Sequence, residues 1–458
     1  MSEVATPGLL DRAIRRITNV WREMAAGVEE ESIAAQMRSC LAARGGEVSA
    51  RNRAAKLAET YLRLDEGGRT EFLRTLAGFD SDPDEVAAAY AEVQAAVDPA
   101  ERATAKAALR RALEPPRLRL LTQFTSIPDG RKFLVDLRAF LLRNRKGDKL
   151  LAALEADLRG LLAAWFDIGF LELQRIDWNS PAVLLERLVD YEAVHAIRSW
   201  RDLKNRLDSD RRCYAFFHPR MPGEPLIFVE VALVKGLAGS VQSLLDEKAP
   251  LLDTREADTA IFYSISNCQR GLAGISFGNF LIKRVVEELS VEFRNLRTFA
   301  TLSPIPGFRS WLDAKLSEIE SRLLSDDESA SLISAMPAQS GAEALAAIVA
   351  KRGWWREAAL RKPAEPVLLR LCARYLVVET NGKRARDPVA HFHLSNGARV
   401  ERLNILGDTS EKGAKESATL MVNYLYDPQK IEDWHEDYAG EGKRNASTTV
   451  RRLARGWA

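Results

Sequence analysis

Several residue types that mark common protein classes are scarce in this sequence. Its 458 residues include only 4 cysteines, which lie far apart and form no CxxC pair, so neither a disulfide framework nor a structural zinc site is expected. No apolar run approaches the roughly 18 residues that a membrane-spanning helix needs. The N-terminal residues lack the apolar core of a signal peptide. These absences predict a cytoplasmic protein with no membrane partner.

An excess of charge of either sign is also missing. Lysine and arginine number 66, aspartate and glutamate number 64, and the net charge is +2. This balance provides no bulk attraction to a polyanion, so no nucleic acid partner is expected. The composition, 46% hydrophobic and 28% charged, is that of a globular protein. The length suffices for about two or three domains.

The first third of the chain has the pattern of a helical bundle. Asp82-Pro83 and Asp98-Pro99 each place an N-cap residue before a proline at the first helical position. Leu134, Leu137 and Leu141 recur at the spacing of one helix face, as is typical of a core or a subunit interface. We expect about eight helices before residue 165, packed as a bundle rather than a solenoid.

The pattern changes near residue 173, after which candidate strands and helices alternate and predict a mixed α/β or α+β domain. An amphipathic helix is expected over about residues 278–289. Further helices are expected over residues 308–380, broken at Pro337, Pro363 and Pro366. The predicted strands cover residues 214–217, 226–234, 260–265, 298–302 and 400–405.

A glycine-rich segment, residues 269–280, lies between a predicted strand and a predicted helix. Gly271, Gly274 and Gly278 would let backbone N–H groups approach a phosphate at the helix N-terminus. Their spacing is not that of the dinucleotide fingerprint, and no Gly-Lys-Ser/Thr follows as in a Walker loop. A close strand-to-helix turn without any ligand accounts for the same glycines, so both interpretations stay open.

Two further segments carry residues suited to catalysis. Ser303-Pro304 would hold a hydroxyl on stiff backbone at a strand end, although Ser-Pro often marks only a turn. His391 and His393 are separated by one residue and on a strand would face the same side. Metal binding, proton transfer by one histidine and a hydrogen-bonded histidine before an Asn-Gly turn are all compatible with this spacing. The lack of a third nearby His or Cys disfavours a metal.

Taken together, these segments resemble the malonyl-CoA decarboxylase family. The resemblance covers most of residues 173–428. The segments that carry it are FYSIS at residues 262–266, GLAGISFGNFLIKRVVEEL at 271–289, LSPIPGF at 302–308, DPVAHFHLSNGA at 387–398 and MVNYLY at 421–426.

The resemblance implies a two-domain α+β protein. An N-terminal all-α helical bundle, residues 1–172, would mediate assembly into a homo-oligomer, and a GNAT-like α/β catalytic domain would occupy residues 173–458. In GNAT-like folds two neighbouring parallel strands splay apart and admit the pantetheine arm of CoA, and strands 260–266 and 298–302 would form this pair. The expected CoA-binding residues are Arg270, Gly271, Gly274, Gly278 and Asn279.

The same resemblance assigns catalytic residues. The family's catalytic serine falls on Ser303, its histidine on His393 and an assisting tyrosine on Tyr426. Ser276 stands where animal members carry a glutamate, so its hydroxyl keeps a hydrogen bond but not the charge. The implied reaction converts malonyl-CoA to acetyl-CoA and CO2 without a metal or an organic cofactor, because the thioester itself accepts the electrons as an enolate.

Two functions of other classes stay open as alternatives. A GNAT-type acyl-CoA acyltransferase would share the fold but would need a pocket for an amine acceptor. A non-catalytic CoA-binding regulatory protein would bind without turnover. The presence of Ser303, His393 and Tyr426 together favours the decarboxylase.

Overall fold

A computed structural model of the protein describes residues 32–42, 46–275, 280–318 and 323–455. The chain forms two compact units. The first holds the described residues up to Glu172 together with Phe217–Glu224 and residues 269–275, and the second holds the remainder. The expected order, a helical N-terminal region followed by a mixed α/β region, is confirmed. The domain boundaries 1–172 and 173–458 stay a prediction.

The first unit is built from α-helices. Two of them begin as expected, because the carboxylates of Asp82 and Asp98 accept hydrogen bonds from the backbone N–H groups of the first turn, with a proline at the first position. Within its described residues the helices are α1 Ile33–Leu41, α2 Glu47–Arg63, α3 Glu66–Ala77, α4 Pro83–Ala95, α5 Pro99–Ala112, α6 Pro116–Gln123, α7 Gly130–Asn144 and α8 Lys149–Trp165.

The leucine stripe of α7 lies in the core of this unit. Leu134, Leu137 and Leu141 are buried, which confirms the interpretation of the stripe as a packed face. Nearby, the ring of Tyr61 meets the rings of Phe72 and Phe133 edge-on, with centroids 5.1 and 5.6 Å apart. Burial of such apolar faces supplies most of the stability of short helices.

The second unit is built on an eight-stranded mixed sheet. The strands are β1 Glu172–Ile176, β2 Arg211–Phe217, β3 Ile227–Val234, β4 Thr259–Asn267, β5 Thr298–Thr301, β6 Ser303–Pro304, β9 Arg399–Asn404 and β10 Met421–Tyr426; β7 Thr380–Asn381 and β8 Arg384–Ala385 form a separate hairpin. The order in the sheet is β1-β2-β3-β4-β5-β10-β6, with β9 paired to β10. β4 and β5 run parallel, whereas β10 is antiparallel to β5, β6 and β9.

The pairing between the two parallel strands, β4 and β5, ends half-way along β4. Their pairing runs from Thr259 beside Thr298 to Phe262 beside Thr301 and then ends, while β4 continues to Asn267 paired only with β3. The chain after β5 passes into β6, which pairs with β10. The ladder between β3 and β4 also shifts register at this level. The sheet therefore opens where β5 gives way to β6.

The two faces of the sheet differ in chemistry at this opening. Ile261, Tyr263, Ala300 and Leu302 pack into an apolar cluster with residues of β3 and β10. Because side chains alternate along a strand, the residues between them point to the opposite face. That face carries the hydroxyl side chains of Thr301 and Ser303.

Helices cover the rest of the second unit. No helix among the described residues has the length and apolar character needed to cross a membrane. The helices are α9 Ala182–Tyr191, α10 Trp200–Arg206, α11 Val241–Leu244, α12 Phe280–Glu292, α13 Phe308–Leu316, α14 Asp326–Ala335, α15 Gly341–Ala350, α16 Ala358–Val377, α17 Pro388–Ser395, α18 Glu411–Ser417, α19 Ile431–Glu441 and α20 Thr448–Ala454.

Two of the predicted helix breaks are wrong. Pro337 does lie between α14 and α15, but Pro363 and Pro366 lie inside α16. Each proline removes one helical hydrogen bond. The buried face of α16, which includes Leu360 and Val367, offsets that loss through packing.

Candidate active site

Ser303 is the first residue of β6, which follows β5 at the opening of the sheet. Its Cα pairs with Val422 of β10, and its side chain is buried. The Oγ atom lies 2.8 Å from Thr301 Oγ1 and 3.0 Å from His393 Nε2. The hydroxyl that the sequence placed at a strand end is therefore held by two polar partners.

His393 lies on a helix, and the interpretation of the two histidines as neighbours on a strand is wrong. The segment forms α17, in which Asp387 is the N-cap and Pro388 occupies the first position. Both amides of the first turn, those of Val389 and Ala390, donate to Asp387 Oδ1 over 2.9 Å. The same pair of residues, an aspartate N-cap followed by a proline, also stands at the start of α4 and α5.

The helix separates the two histidines, because residues two positions apart on a helix do not face each other. His391 Nδ1 lies 2.8 Å from the hydroxyl of Tyr438, and His393 Nδ1 lies 2.8 Å from the hydroxyl of Tyr426. Within the described ranges, no three His, Cys, Asp or Glu side chains group as metal ligands would. The structure thus brings Ser303, His393 and Tyr426 together and leaves His391 outside the group.

The imidazole of His393 is enclosed by protein. It is 3% exposed, and the ring of Tyr424 stacks on it with centroids 4.4 Å apart and an interplanar angle of 24°. Burial lowers the pKa of His393 from 6.5 to about 3. Burial also raises the pKa of Tyr426 well above its usual 10. Both groups are therefore neutral at neutral pH.

A buried carboxyl group, that of Asp387, links the Ser303 segment to the helix that carries His393. While Asp387 Oδ1 caps α17, Oδ2 accepts the backbone N–H of Gly307 over 3.3 Å and the hydroxyl of Tyr375 over 3.4 Å. Gly307 follows Ser303 by four residues, and α17 carries His393. A Cβ at Gly307 would overlap the Tyr375 hydroxyl. Asp387 consequently fixes the Ser303 segment against the His393 helix.

The glycine-rich turn is anchored within the first unit. Arg270–Leu272 forms a 3₁₀ turn in which the N–H groups of Leu272 and Ala273 bond to the carbonyls of Gln269 and Arg270 over 2.9 and 3.1 Å. Those two N–H groups are therefore already paired. Arg270 itself is exposed.

Close packing explains one of the glycines. A Cβ at Gly271 would overlap the backbone carbonyl of Val135 in α7. The carbonyl of Gly271 accepts from the buried Arg138 over 2.6 Å, and that of Gly274 accepts from Arg159 over 3.1 Å. Gly271 thus meets a structural demand, whatever else the turn binds.

The remaining candidate site residues, Ser276, Gly278 and Asn279, lie outside the described residues.

Two residues of the site were missed from the sequence alone. Thr301 contacts Ser303 because residues i and i+2 share one face of extended chain, and that alternation was a usable signal. Asp387 was included in the resemblance but not assigned a role. Its position before Pro388 was the available signal for a helix N-terminus.

Comparison with known proteins decides the family. Residues 169–457 match the model of the malonyl-CoA decarboxylase C-terminal domain, and residues 79–166 match that of the N-terminal domain. The chain belongs to the malonyl-CoA decarboxylase family. Membership confirms the resemblance seen in the sequence, and with it the expected class of enzyme, a carboxy-lyase.

Individual relatives support this membership. The chain is 39% identical over 397 residues to the mitochondrial malonyl-CoA decarboxylase of the goose Anser anser anser, covering 82% of this chain and 78% of that one. The enzyme of Mus musculus is 38% identical over 402 residues, with 84% and 81% covered.

Crystal structures of malonyl-CoA decarboxylases agree as well. The one from Rhodopseudomonas palustris has 41% identity and a TM-score of 0.83, with 92% of this chain and 98% of that one covered. The one from Agrobacterium vitis has 40% identity and a TM-score of 0.84, with 92% and 99% covered.

The low pKa of His393 has a consequence for stability. Between pH 6.5 and 3 the unfolded chain binds a proton at this histidine and the folded protein does not, so the free energy of unfolding falls as the pH drops below 6.5. One proton contributes a slope of up to about 1.4 kcal/mol per pH unit. We expect the free energy of unfolding of His393→Gln to fall less steeply with decreasing pH than that of the wild type, by up to this slope. Urea denaturation from pH 7 to 5 measures it, and parallel curves for the two proteins would contradict the burial of a neutral imidazole.

Proposed function

We propose that this protein converts malonyl-CoA to acetyl-CoA and CO2. The observation that carries the proposal is the unbroken series of contacts from Tyr426 through His393 to Ser303, at 2.8 and 3.0 Å. These residues come from three separate segments of the chain. They are also the residues that the family's motifs assign to catalysis, and the relatives named above are malonyl-CoA decarboxylases.

The proposed chemistry begins with loss of the carboxylate. Breaking the bond between the carboxylate carbon and C2 releases CO2 and leaves its electron pair in a thioester enolate. Ser303 donates a hydrogen bond to the malonyl group, and the N–H of His393 stabilises the developing enolate oxygen. Donors fixed in a water-excluded site stabilise such charge far more than water does, and one donor is typically worth about 10²–10³-fold in kcat.

Protonation at C2 completes the reaction. The enolate takes the hydrogen of His393 Nε2, Nδ1 recovers one from the hydroxyl of Tyr426 over their 2.8 Å contact, and solvent restores the tyrosine. Overall, the malonyl-CoA carboxylate and one proton give acetyl-CoA and CO2. A neutral imidazole is suited to this step, because an enolate carbon is basic enough to take a proton from it.

No separate cofactor enters this scheme. The thioester carbonyl serves as the electron sink that pyridoxal phosphate or thiamine diphosphate supplies in other decarboxylases. In this scheme Ser303 and His393 bond to the substrate, and Tyr426 bonds to His393. We therefore propose that the reaction proceeds without a metal or an organic cofactor.

The opening between β4 and β5 supports a GNAT-like assignment. The parallel pairing ends after Phe262 and Thr301, and beyond Phe262 one edge of β4 has no strand partner among the described residues. We propose that the pantetheine arm enters beside this edge, with Ser303 at its end. Arg270, Gly271 and Gly274, together with Gly278, Asn279 and Ser276, stay proposed contacts of the CoA or acyl group.

Two further proposals concern assembly and compartment. Self-association through the helical unit would cover apolar side chains that stand out from it, such as Tyr90, Val97 and Leu150, which are at least half exposed. A reducing compartment, with the cytoplasm as our proposal, is compatible with four buried free cysteines.

The decisive experiment follows the products. Purified, chelator-treated protein is incubated with malonyl-CoA, with and without a panel of amine acceptors, and the mixture is analysed by mass spectrometry. Formation of acetyl-CoA and CO2, independent of amines, is the expected result. Free CoA with an acylated amine would favour the acyltransferase, and saturable binding without turnover would favour a regulatory CoA-binding protein.

A further inference from the structure

Thr301 occupies an irregular point of the sheet next to Ser303. Here β10 passes from pairing with β5 to pairing with β6. Thr301 bridges the interrupted ladder, because its carbonyl accepts a hydrogen bond from the side-chain Nδ2 of Asn423 over 2.7 Å and its Oγ1 accepts the backbone N–H of Tyr424 over 3.1 Å. Thr301 is fully buried. Its hydroxyl oxygen is thus fixed in place as an acceptor.

This acceptor sets the direction of the neighbouring hydrogen bond. Ser303 Oγ donates a hydrogen bond to Thr301 Oγ1 across the 2.8 Å between the two hydroxyls. With its hydrogen directed to Thr301, Ser303 Oγ can face His393 Nε2, 3.0 Å away, only as an acceptor. The hydrogen between Ser303 and His393 therefore belongs to Nε2.

The remaining hydrogen bond follows from the neutral imidazole. A neutral ring carries one N–H, so with a hydrogen on Nε2 the Nδ1 atom is an acceptor. It takes the hydrogen of the Tyr426 hydroxyl over 2.8 Å. The hydrogen bonds then all run in one direction: Tyr426 donates to His393, His393 donates to Ser303, and Ser303 donates to Thr301.

We propose that Thr301 is a positioning residue that holds the hydrogen of Ser303 away from His393 and thereby keeps the hydrogen of the imidazole on Nε2. In this arrangement the Ser303 hydroxyl donates to Thr301, and the Nε2–H of His393 donates to Ser303 Oγ, so that both hydrogens can be directed to the substrate when it binds. The first turns to the malonyl group by rotation about the Cβ–Oγ bond, and the second is available to the enolate carbon. This use of the two hydrogens rests on the proposed decarboxylation.

Without the acceptor at residue 301 the opposite arrangement becomes favourable. The Ser303 hydroxyl would donate to Nε2, and the imidazole hydrogen would move to Nδ1 and bond to Tyr426. That tautomer has no hydrogen facing Ser303. The wrong tautomer of a catalytic histidine is known to be costly in enzymes that depend on one.

The kinetic test compares Thr301→Val with Thr301→Ser. Valine keeps the shape and removes the acceptor, so we expect kcat for malonyl-CoA to fall about 10- to 100-fold with KM nearly unchanged. Serine keeps the hydroxyl, and Thr301→Ser should recover most of this turnover. The loss should shrink to within about threefold when Thr301→Val is made in a Ser303→Ala background, since the residue acts through Ser303. An equal loss in both backgrounds would indicate a merely structural role and overturn the proposal.

The tautomer is measured directly by ¹⁵N NMR of histidine-labelled protein, with the His393 signals assigned by their loss in His393→Gln. We expect hydrogen on Nε2 in the wild type and in Thr301→Ser, and a gain of the Nδ1–H form in Thr301→Val. Thr301→Ala replaces the valine variant if that one does not fold. A wild type with hydrogen on Nδ1, or no change on removal of the hydroxyl, would overturn the proposal. This measurement needs no substrate, so its failure is distinguishable from failure of the proposed decarboxylation.

Discussion

His393→Ala should lower kcat for malonyl-CoA about 10²- to 10⁴-fold, whereas His391→Ala should leave it close to wild type. General acid catalysis by a positioned side chain contributes a factor of this size. Of the two histidines, His393 contacts Ser303 and Tyr426, whereas His391 bonds to Tyr438. The two substitutions remove the same side chain from the same helix, two residues apart. Their comparison therefore isolates the contacts of the imidazole from its effect on α17.

Steady-state kinetics on the three proteins, with circular dichroism to verify folding, measures the difference. Equal losses in the two variants would mean that the helix rather than the imidazole of His393 is responsible. Full activity of His393→Ala would refute the assigned role of His393.

Gly271→Ala should destabilise the protein by about 3 kcal/mol or more. The new Cβ would overlap the carbonyl oxygen of Val135, which is backbone of α7 and cannot rotate away as a side chain would. Relief requires the turn to move off α7, which would break the 2.6 Å hydrogen bond from Arg138 to the Gly271 carbonyl. That guanidinium is buried and already paired with Glu155, so it would lose a partner that water cannot easily replace.

Gly160→Ala is the matched control for this substitution. Gly160 lies in α8, and among the described residues no atom outside the helix's own backbone lies within 4 Å of its added Cβ, so alanine should stabilise the helix by about 0.5–1 kcal/mol. Urea denaturation of both variants and the wild type gives the free energies of unfolding. A Gly271→Ala protein as stable as wild type would contradict the close approach of the turn to α7.

The sequence predicted local structure well where the signal was local. Asp82-Pro83 and Asp98-Pro99 begin α4 and α5 as expected, and the predicted strand over residues 298–302 corresponds to β5 at Thr298–Thr301. The same Asp-Pro signal preceded His391 and His393, but the alternation of the two histidines was interpreted as a strand. The N-cap residue Asp387 accepts hydrogen bonds from backbone N–H groups at the start of the helix, whereas the spacing of the two histidines forms no such bonds. The cap was the stronger signal.

Long-range contacts could not be predicted from spacing. The glycine at residue 271 indicated a close approach, yet its neighbour, Val135, lies 136 residues earlier in the chain. Similarly, nothing near Ser303 in the sequence indicates that Tyr424 would stack on His393 or that Asp387 would bond to Gly307. The candidate catalytic residues were assigned by resemblance to a family, and their hydrogen-bond partners required the three-dimensional structure.

The central claim, that this site decarboxylates malonyl-CoA and protonates the resulting carbon, is tested most directly by running the incubation with malonyl-CoA in D2O. Exchangeable hydrogens on His393 and Tyr426 become deuterium, so the account predicts acetyl-CoA with one deuterium in its methyl group, formed by the wild type and scarcely by His393→Ala. Malonyl-CoA recovered intact, or release of free CoA in its place, would contradict it.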